Sequence, residues 1–295
     1  MIVVTTPTGQ VGHHVVRHLL AEGSPVRIVA RDAARLEPAL TGRVEIVEGS
    51  HGDPAVIDRA LVGADALFWL VPPDTAKTLE AAYLDFTRPA VEAIRRHGIA
   101  RVVSVTALGR DTRWQDRAGL VTASIAMDDL LMSSGAAFRG LAMPSFMDNL
   151  LRQVASIAGQ GIFYGTIDPD RRAPTTATAD MGAVAARLLL DRGWAGQAEQ
   201  PVLGPEDLSF AEMAVTVGEV LDRPVRYQPI PLDAFQAQLL ARGMSGSFAQ
   251  GYVDMMRAKD EGIDNVARRD AASATPTRFR DWCERVLKPA VDKTA

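Results

Sequence analysis

Cysteine, lysine and aromatic residues are all scarce in this sequence of 295 residues. The single cysteine, Cys283, excludes an intramolecular disulfide framework and any multi-cysteine zinc site. A reducing, cytoplasmic setting is the expectation that follows. No apolar run approaches the ~18–20 residues of a membrane span. Ile2-Val3-Val4 follows Met1 directly, which leaves no room for the basic segment of a secretion signal. Positive charge is not in excess either: 32 Lys and Arg stand against 36 Asp and Glu, a net charge of −4. Neutralising phosphates needs a basic face, so neither nucleic acid nor a membrane is expected as a partner. The lysines are only Lys77, Lys259, Lys288 and Lys293; the remaining basic residues are arginines, a bias that reads as genomic. Hydrophobic residues make up 47% and charged residues 23%, which excludes disorder, collagen-like repeats and coiled coil.

What is present is an alternation. Ile2–Val4, Val26–Ala30, Val44–Val47, Ala66–Val71, Arg101–Val105 and Phe138–Ala142 read as strands. Their near-continuous apolar character suits a parallel sheet buried on both faces. Between the first two, Val11, Val15, Val16, Leu19 and Leu20 share one helical face, and Gly23 stands at a helix stop. Thr78 to His97 reads as a second helix, kinked by Pro89 and ended by Gly98. Asp53 reads as the N-cap of a further helix, with Pro54 at its first position. The spacing predicts a doubly wound α/β sheet, with ligand beyond the carboxyl ends of its strands.

The second half changes character. Gly159–Gly165 and Gly196–Gly204 read as loops between helices that include Ala179–Leu190 and Phe210–Leu221. Ser209-x-x-Glu212 is a capping box, and Asp233 followed by Gln236 repeats that signature. Ala271–Thr277 reads as a loop before a last helix at Arg278–Leu287.

The strongest chemical signal is Thr5-Thr6-Pro7-Thr8-Gly9-Gln10-Val11-Gly12, between the first strand and the first helix. A glycine-bearing turn there turns backbone N–H groups and the helix dipole toward a pyrophosphate. Val4-Thr5-Thr6-Pro7-Thr8-Gly9, Ser134-Gly135 and Phe146-Met147-Asp148-Asn149 together resemble the NmrA-like branch of the short-chain dehydrogenase/reductases. The resemblance covers nearly the whole chain. It implies a Rossmann-type core at 1–141 and a smaller, substrate-covering C-terminal α/β lobe at 142–295, with segments returning to the core. It also implies a cofactor contact set of Thr6, Thr8, Gly9, Gln10, Val11, Gly12, Arg31, Arg35, Ser50, Val71, Pro72, Pro144 and Phe146. Thr6 occupies the place of the family's first glycine, and Ser50 that of an Asp after the third strand. Arg31, at the end of the second strand, suits the 2′-phosphate of NADP, with NAD as the alternative cofactor. Arg35 adds a second positive charge. The competing reading is that Arg31-Asp32 only caps a solvated loop.

The Tyr-x-x-x-Lys pair of the main family is absent. The residues four after Tyr83, Tyr164, Tyr227 and Tyr252 are Thr87, Asp168, Pro231 and Met256. Several reductases of the branch carry His or Lys on the helix before Ser-Gly; the matching position here is Ser124, with Asp128 at the place of the family's Glu. Ser124 also reads as an ordinary surface residue of that helix. Thr106 matches the superfamily's active-site Ser/Thr, or is a strand-end hydroxyl bonded to backbone. Thr106 and Ser124 are thus the catalytic candidates, with no metal expected. Pro72-Pro73, Trp69 and Met143 to Met147 read either as walls of an apolar pocket or as core. Hydride transfer needs no protein acid when the acceptor itself stabilises negative charge. The expected function is therefore NAD(P)H-dependent reduction of an apolar conjugated small molecule, such as a quinone or imine, with a homodimer allowed. A non-catalytic NAD(P)-sensing regulator and a non-redox enzyme (cyclase, dehydratase or isomerase) stand as alternatives.

Overall fold

Residues 1–40 and 42–294 are described in the computed structural model. The strands are β1 (Ile2–Thr5), β2 (Val26–Ala30), β3 (Glu45–Glu48), β4 (Ala66–Trp69), β5 (Arg101–Ala107), β6 (Ala137–Met143), β7 (Ser145–Phe146), β8 (Ile162–Gly165), β9 (Ala173–Thr176), β10 (Gln197–Pro201), β11 (Asp207–Leu208) and β12 (Arg226–Pro229). The helices used below are α1 (Gly12–Ala21), α2 (Pro54–Leu61), α3 (Phe86–His97), α4 (Leu120–Met132), α5 (Val154–Gln160), α6 (Thr178–Leu190), α7 (Phe210–Leu221), α8 (Leu232–Ala241) and α9 (Gly246–Asp260).

The main sheet is seven-stranded, in the order β10-β6-β5-β4-β1-β2-β3. Its run from β3 to β5 pairs in parallel throughout. This is the Rossmann-type doubly wound sheet. The strand order reverses between β1 and β4, and a crevice opens beyond the carboxyl ends at such a switch point. Thr5 marks it: its buried hydroxyl donates to the Phe68 carbonyl and accepts from the Leu70 N–H, both at 3.0 Å. The end of β1 is thereby stitched to the end of β4.

The chain divides into two compact units. The first comprises Met1–Ala107, Ala123–Ala142 and Met181–Gln200. Its core packs Ile57, Leu61, Trp69, Ile94, Val102 and Phe138 between sheet and helices. The second comprises Leu108–Thr122, Met143–Asp180 and Pro201–Ala295. It has a three-stranded sheet, β11-β9-β7, a two-stranded sheet, β12-β8, and a core around Phe163, Val217, Phe279 and Trp282.

Several local expectations need correction. Gly196–Gly204 is not a loop: Gln197–Pro201 forms β10, the end strand of the main sheet. An edge strand faces solvent and carries no apolar run, so hydropathy does not reveal it. Gly159–Gly165 likewise contains β8. β3, at the other edge, is mostly exposed and not buried on both faces. The second long helix is regular only from Phe86; a π-type turn at Ala81–Asp85 precedes it. That wider turn suits Pro89, which has no N–H to give the carbonyl four residues back. Asp53 caps α2 as expected, accepting from the N–H groups of Ala55 and Val56. The capping box at Ser209 is complete, but Asp233 lies inside α8, whose N-cap is Pro231. Pro231 already supplies the extended residue before the helix, which leaves Asp233 in the first turn.

Candidate nucleotide site

The turn after β1 departs from ordinary backbone geometry at Thr6, which has φ +50°. This left-handed region favours glycine, and a β-branched residue held there costs on the order of 1–3 kcal/mol. The place of the missing glycine is thus a left-handed position, and here threonine occupies it. The Thr6 carbonyl accepts the Gly9 N–H at 2.9 Å, closing the turn. A Cβ on Gly12 would overlap that same carbonyl, and one on Gly9 would lie 3.2 Å from it. Gly12 therefore lets α1 start directly against the end of β1. Val11 is the N-cap, with its side chain buried.

The turn has the features of a phosphate cradle. The backbone N–H groups of Gln10 and Val11 donate to no described group. The Thr6 hydroxyl is buried with no hydrogen-bond partner among the described residues. N–H groups left open at a helix start, together with the dipole of the ten-residue α1, favour an anion. The residues present fit the pyrophosphate of a dinucleotide.

Beside the turn, a cavity of about 250 Å³ is lined by Pro7, Thr8, His13, Arg17, Arg35 and Glu37, among others. Arg17 and Glu37 form an exposed ion pair at 3.2 Å between α1 and the segment after β2. Asp32 accepts the Ala34 N–H at 2.9 Å and starts the 3₁₀ turn that carries Arg35. Asp32 is thus a cap, while Arg31 is exposed and makes no ion pair among the described residues. An uncommitted guanidinium at the end of β2 is free to meet a phosphate.

His51, which sequence reasoning passed over between Ser50 and Asp53, secures the turn after β3. It is 4% exposed, with its edge against Trp69 and Phe86. Its Nε2 lies 3.0 Å from the Leu70 carbonyl; a carbonyl only accepts, so Nε2 carries the proton. The post-β3 turn is thereby tied to the end of β4. Ser50 accepts the Gly52 N–H at 3.3 Å. Burial first, and the nearby Arg31 charge second, push the His51 pKa down to about 4, while the Leu70 bond acts in the opposite sense. A histidine depressed below its unfolded value of ~6.5 takes up its proton preferentially in the unfolded chain. Stability therefore falls as pH drops from about 6.5 toward 4, by roughly 2 kcal/mol at pH 5. We expect His51→Gln, which keeps a donor for Leu70, to lose correspondingly less stability than wild type between pH 7 and pH 5. Parallel losses in urea titrations at the two pH values would remove His51 as the cause.

At the carboxyl end of β5, Ser104 and Thr106 lie two apart and share a face; Ser124 and Asp128 lie four apart on α4. The two faces meet. The Thr106 hydroxyl donates to Ser124 Oγ at 3.3 Å, and Ser104 Oγ donates to Asp128 at 2.6 Å. Ser124 is not on the helix surface but buried, and Thr106 is bonded to a side chain rather than to backbone. The reason is that this face of α4 packs on β5. Trp69, Met143 and Met147 are buried. Val71 is buried and Pro72 exposed, beyond the end of β4.

Pro144 and Phe146 belong to the second unit, where Phe146 pairs with Thr176. Asp148 in the same motif has a structural role. Its carboxylate accepts the Thr178 N–H at 3.0 Å and the Thr178 hydroxyl at 2.8 Å, at the start of α6.

Fold and turn together define a Rossmann-type nucleotide-binding protein. The chain belongs to the NAD(P)H-binding family, whose model matches residues 7–192. It is 32% identical over 96% of both chains to (4-alkanoyl-5-oxo-2,5-dihydrofuran-3-yl)methyl phosphate reductase of Streptomyces griseus. It is 30% identical over 84% of both chains to NAD(P)H azoreductase of Xenophilus azovorans. In fold it matches Citrobacter sp. triphenylmethane reductase complexed with NADP(H), with a TM-score of 0.79 at 17% identity and 100% of each chain covered. An NADPH-dependent quinone oxidoreductase of Escherichia coli gives 0.75 at 21% identity, covering 97% of this chain and 100% of the other. The chain is an NAD(P)H-dependent oxidoreductase.

Proposed function

We propose that this chain uses NADPH in preference to NADH to reduce a flat, conjugated organic acceptor, and that it belongs to the NmrA-like branch. The observation that carries the cofactor preference is Arg31, exposed and without an ion pair among the described residues, just past the end of the strand that pairs with β1. The bound reduced nicotinamide would supply the hydride. The N–H groups of Gln10 and Val11 would hold the pyrophosphate, and Arg31 with Arg35 the 2′-phosphate. Thr106 and Ser124 form a hydroxyl pair that would orient an acceptor oxygen by hydrogen bonding.

The missing Tyr-x-x-x-Lys pair supports an acceptor that carries its own electron sink. So do the relatives, whose names give a conjugated furanone and an azo compound. A small molecule is the partner, and the cytoplasm, where reduced nicotinamide is held, is the setting. The direct test is NADPH oxidation by purified protein with a naphthoquinone, an azo dye and an acyl-butenolide offered in turn. Turnover with one or more, faster with NADPH than with NADH, is expected. No turnover with any of them, or a preference for NADH, would overturn the reading.

A further inference from the structure

The segment after β5, from Leu108 to Gly119, belongs to the second unit and lies along α9 and the turn that follows it. Three contacts define its course. Gly119 meets the backbone of Gly251 so closely that a Cβ would overlap it. Trp114 Nε1 donates to the Glu261 carboxylate at 2.8 Å. At the near end, a Cβ on Gly109 would lie 2.7 Å from Ile263. Inside the segment, the Thr112 hydroxyl donates to the Gly109 carbonyl and Gln115 accepts the Asp111 N–H.

Glu261 is the hub. Besides the indole it faces Arg113 at 3.8 Å and Arg117 at 4.0 Å. The Arg113 guanidinium also lies 4.3 Å over the Trp114 ring. The indole hydrogen bond, and then the arginines, hold the Glu261 carboxyl below the usual carboxylate range.

The turn that carries Glu261 is anchored from below. Lys259 and Asp264 are 8% and 2% exposed, and the ammonium lies 2.9 and 2.7 Å from the two carboxylate oxygens. A lysine this deeply buried requires such a partner. Asp264 also accepts the Ser145 hydroxyl at 3.3 Å, on β7. One short stretch, Lys259 to Asp264, therefore holds two segments that follow strands of the main sheet: the one after β5 through Glu261, and the one after β6 through Asp264. Loops beyond strand ends are where a doubly wound sheet meets its ligand.

We propose that Glu261 and Trp114 are positioning residues for the organic acceptor: their hydrogen bond latches the 108–119 segment into the form that the acceptor requires. The latch acts through an acceptor oxygen, not through charge, and the buried Lys259–Asp264 pair is its fixed base. This rests on the functional reading above.

The experiment compares Glu261→Ala, Glu261→Gln, Trp114→Phe and the double variant Trp114→Phe/Glu261→Ala, with NADPH and a naphthoquinone. Both residues reach solvent, and circular dichroism would confirm that each variant folds. Glu261→Ala should raise the quinone KM by about three- to tenfold, the size of one lost hydrogen bond, with little change in the NADPH KM. Trp114→Phe should match it, and the double variant should be no worse than either single change. Glu261→Gln, which keeps an oxygen for the indole, should stay near wild type. Hydrogen exchange across 108–119 should quicken in Glu261→Ala, Trp114→Phe and the double variant, and stay at the wild-type rate in Glu261→Gln. Wild-type quinone KM in Glu261→Ala, or a Glu261→Gln variant as impaired as Glu261→Ala, would overturn the latch alone. A wild-type chain that turns over no conjugated acceptor would overturn the functional reading, and the latch with it.

Discussion

Gly12→Ala is expected to abolish nucleotide binding and to lower stability by on the order of 3 kcal/mol. The added methyl would overlap the Thr6 carbonyl, which is backbone. A flexible side chain could swing away, but here either α1 or the end of β1 must move. The Thr6 carbonyl also accepts the Gly9 N–H, so displacing it opens the turn that presents Gln10 and Val11. Stability and binding should therefore fall together. Urea denaturation would measure the first and calorimetric titration with NADPH the second. A variant that keeps wild-type stability and NADPH affinity would show that the turn relaxes around a Cβ and that the close approach is incidental. Gly9→Ala offers a graded control: its methyl would sit 3.2 Å from the same carbonyl, a contact that a shift of a few tenths of an ångström relieves.

The second large effect concerns cofactor choice. Arg31→Ala should weaken NADPH binding by about 10- to 100-fold, the range of a lost charge-assisted hydrogen bond of ~1.5–3 kcal/mol. NADH, which has a hydroxyl where NADPH has a phosphate, should bind nearly as before. Arg31 has no described ion-pair partner in the free protein, so an interaction with the 2′-phosphate would not be offset by a bond broken elsewhere. Arg35, on the turn capped by Asp32, would supply the residual preference. Titration with both cofactors decides the matter. An equal loss for NADPH and NADH would assign Arg31 to the shape of the post-β2 segment instead. The salt dependence is a further check, since an exposed guanidinium–phosphate contact is screened as ionic strength rises.

Legibility in the sequence followed the range of the interactions involved. The turn at Thr6–Gly12, the strands β1, β2, β4 and β5, the cap at Asp53 and the capping box at Ser209 rest on neighbours within a few residues. Each could be read from spacing alone. So could the absence of Tyr-x-x-x-Lys, which needs only a four-residue offset. Thr6 shows where that reading stops. Threonine in place of glycine is visible in the sequence, but only φ +50° reveals that a β-branched residue holds a left-handed backbone there.

Other features depended on partners far along the chain. β10 has an edge strand's polar composition and becomes a strand only because β6 lies beside it. Ser124 reads from the sequence as a catalytic candidate or a surface residue; the packing of α4 on β5 buries it and brings its hydroxyl to Thr106. His51 had no motif; its neutral imidazole is a product of burial against Trp69, Phe86 and the Leu70 carbonyl. The indole of Trp114 meets Glu261 across 147 residues of sequence. By itself, then, the sequence determined the class of fold, the glycine-bearing turn after β1 and the lack of a Tyr-x-x-x-Lys pair, because local periodicity and short-range spacing decide those. Only the tertiary structure decided which polar groups are buried, paired or left open. Those depend on desolvation and long-range packing, which no local pattern encodes.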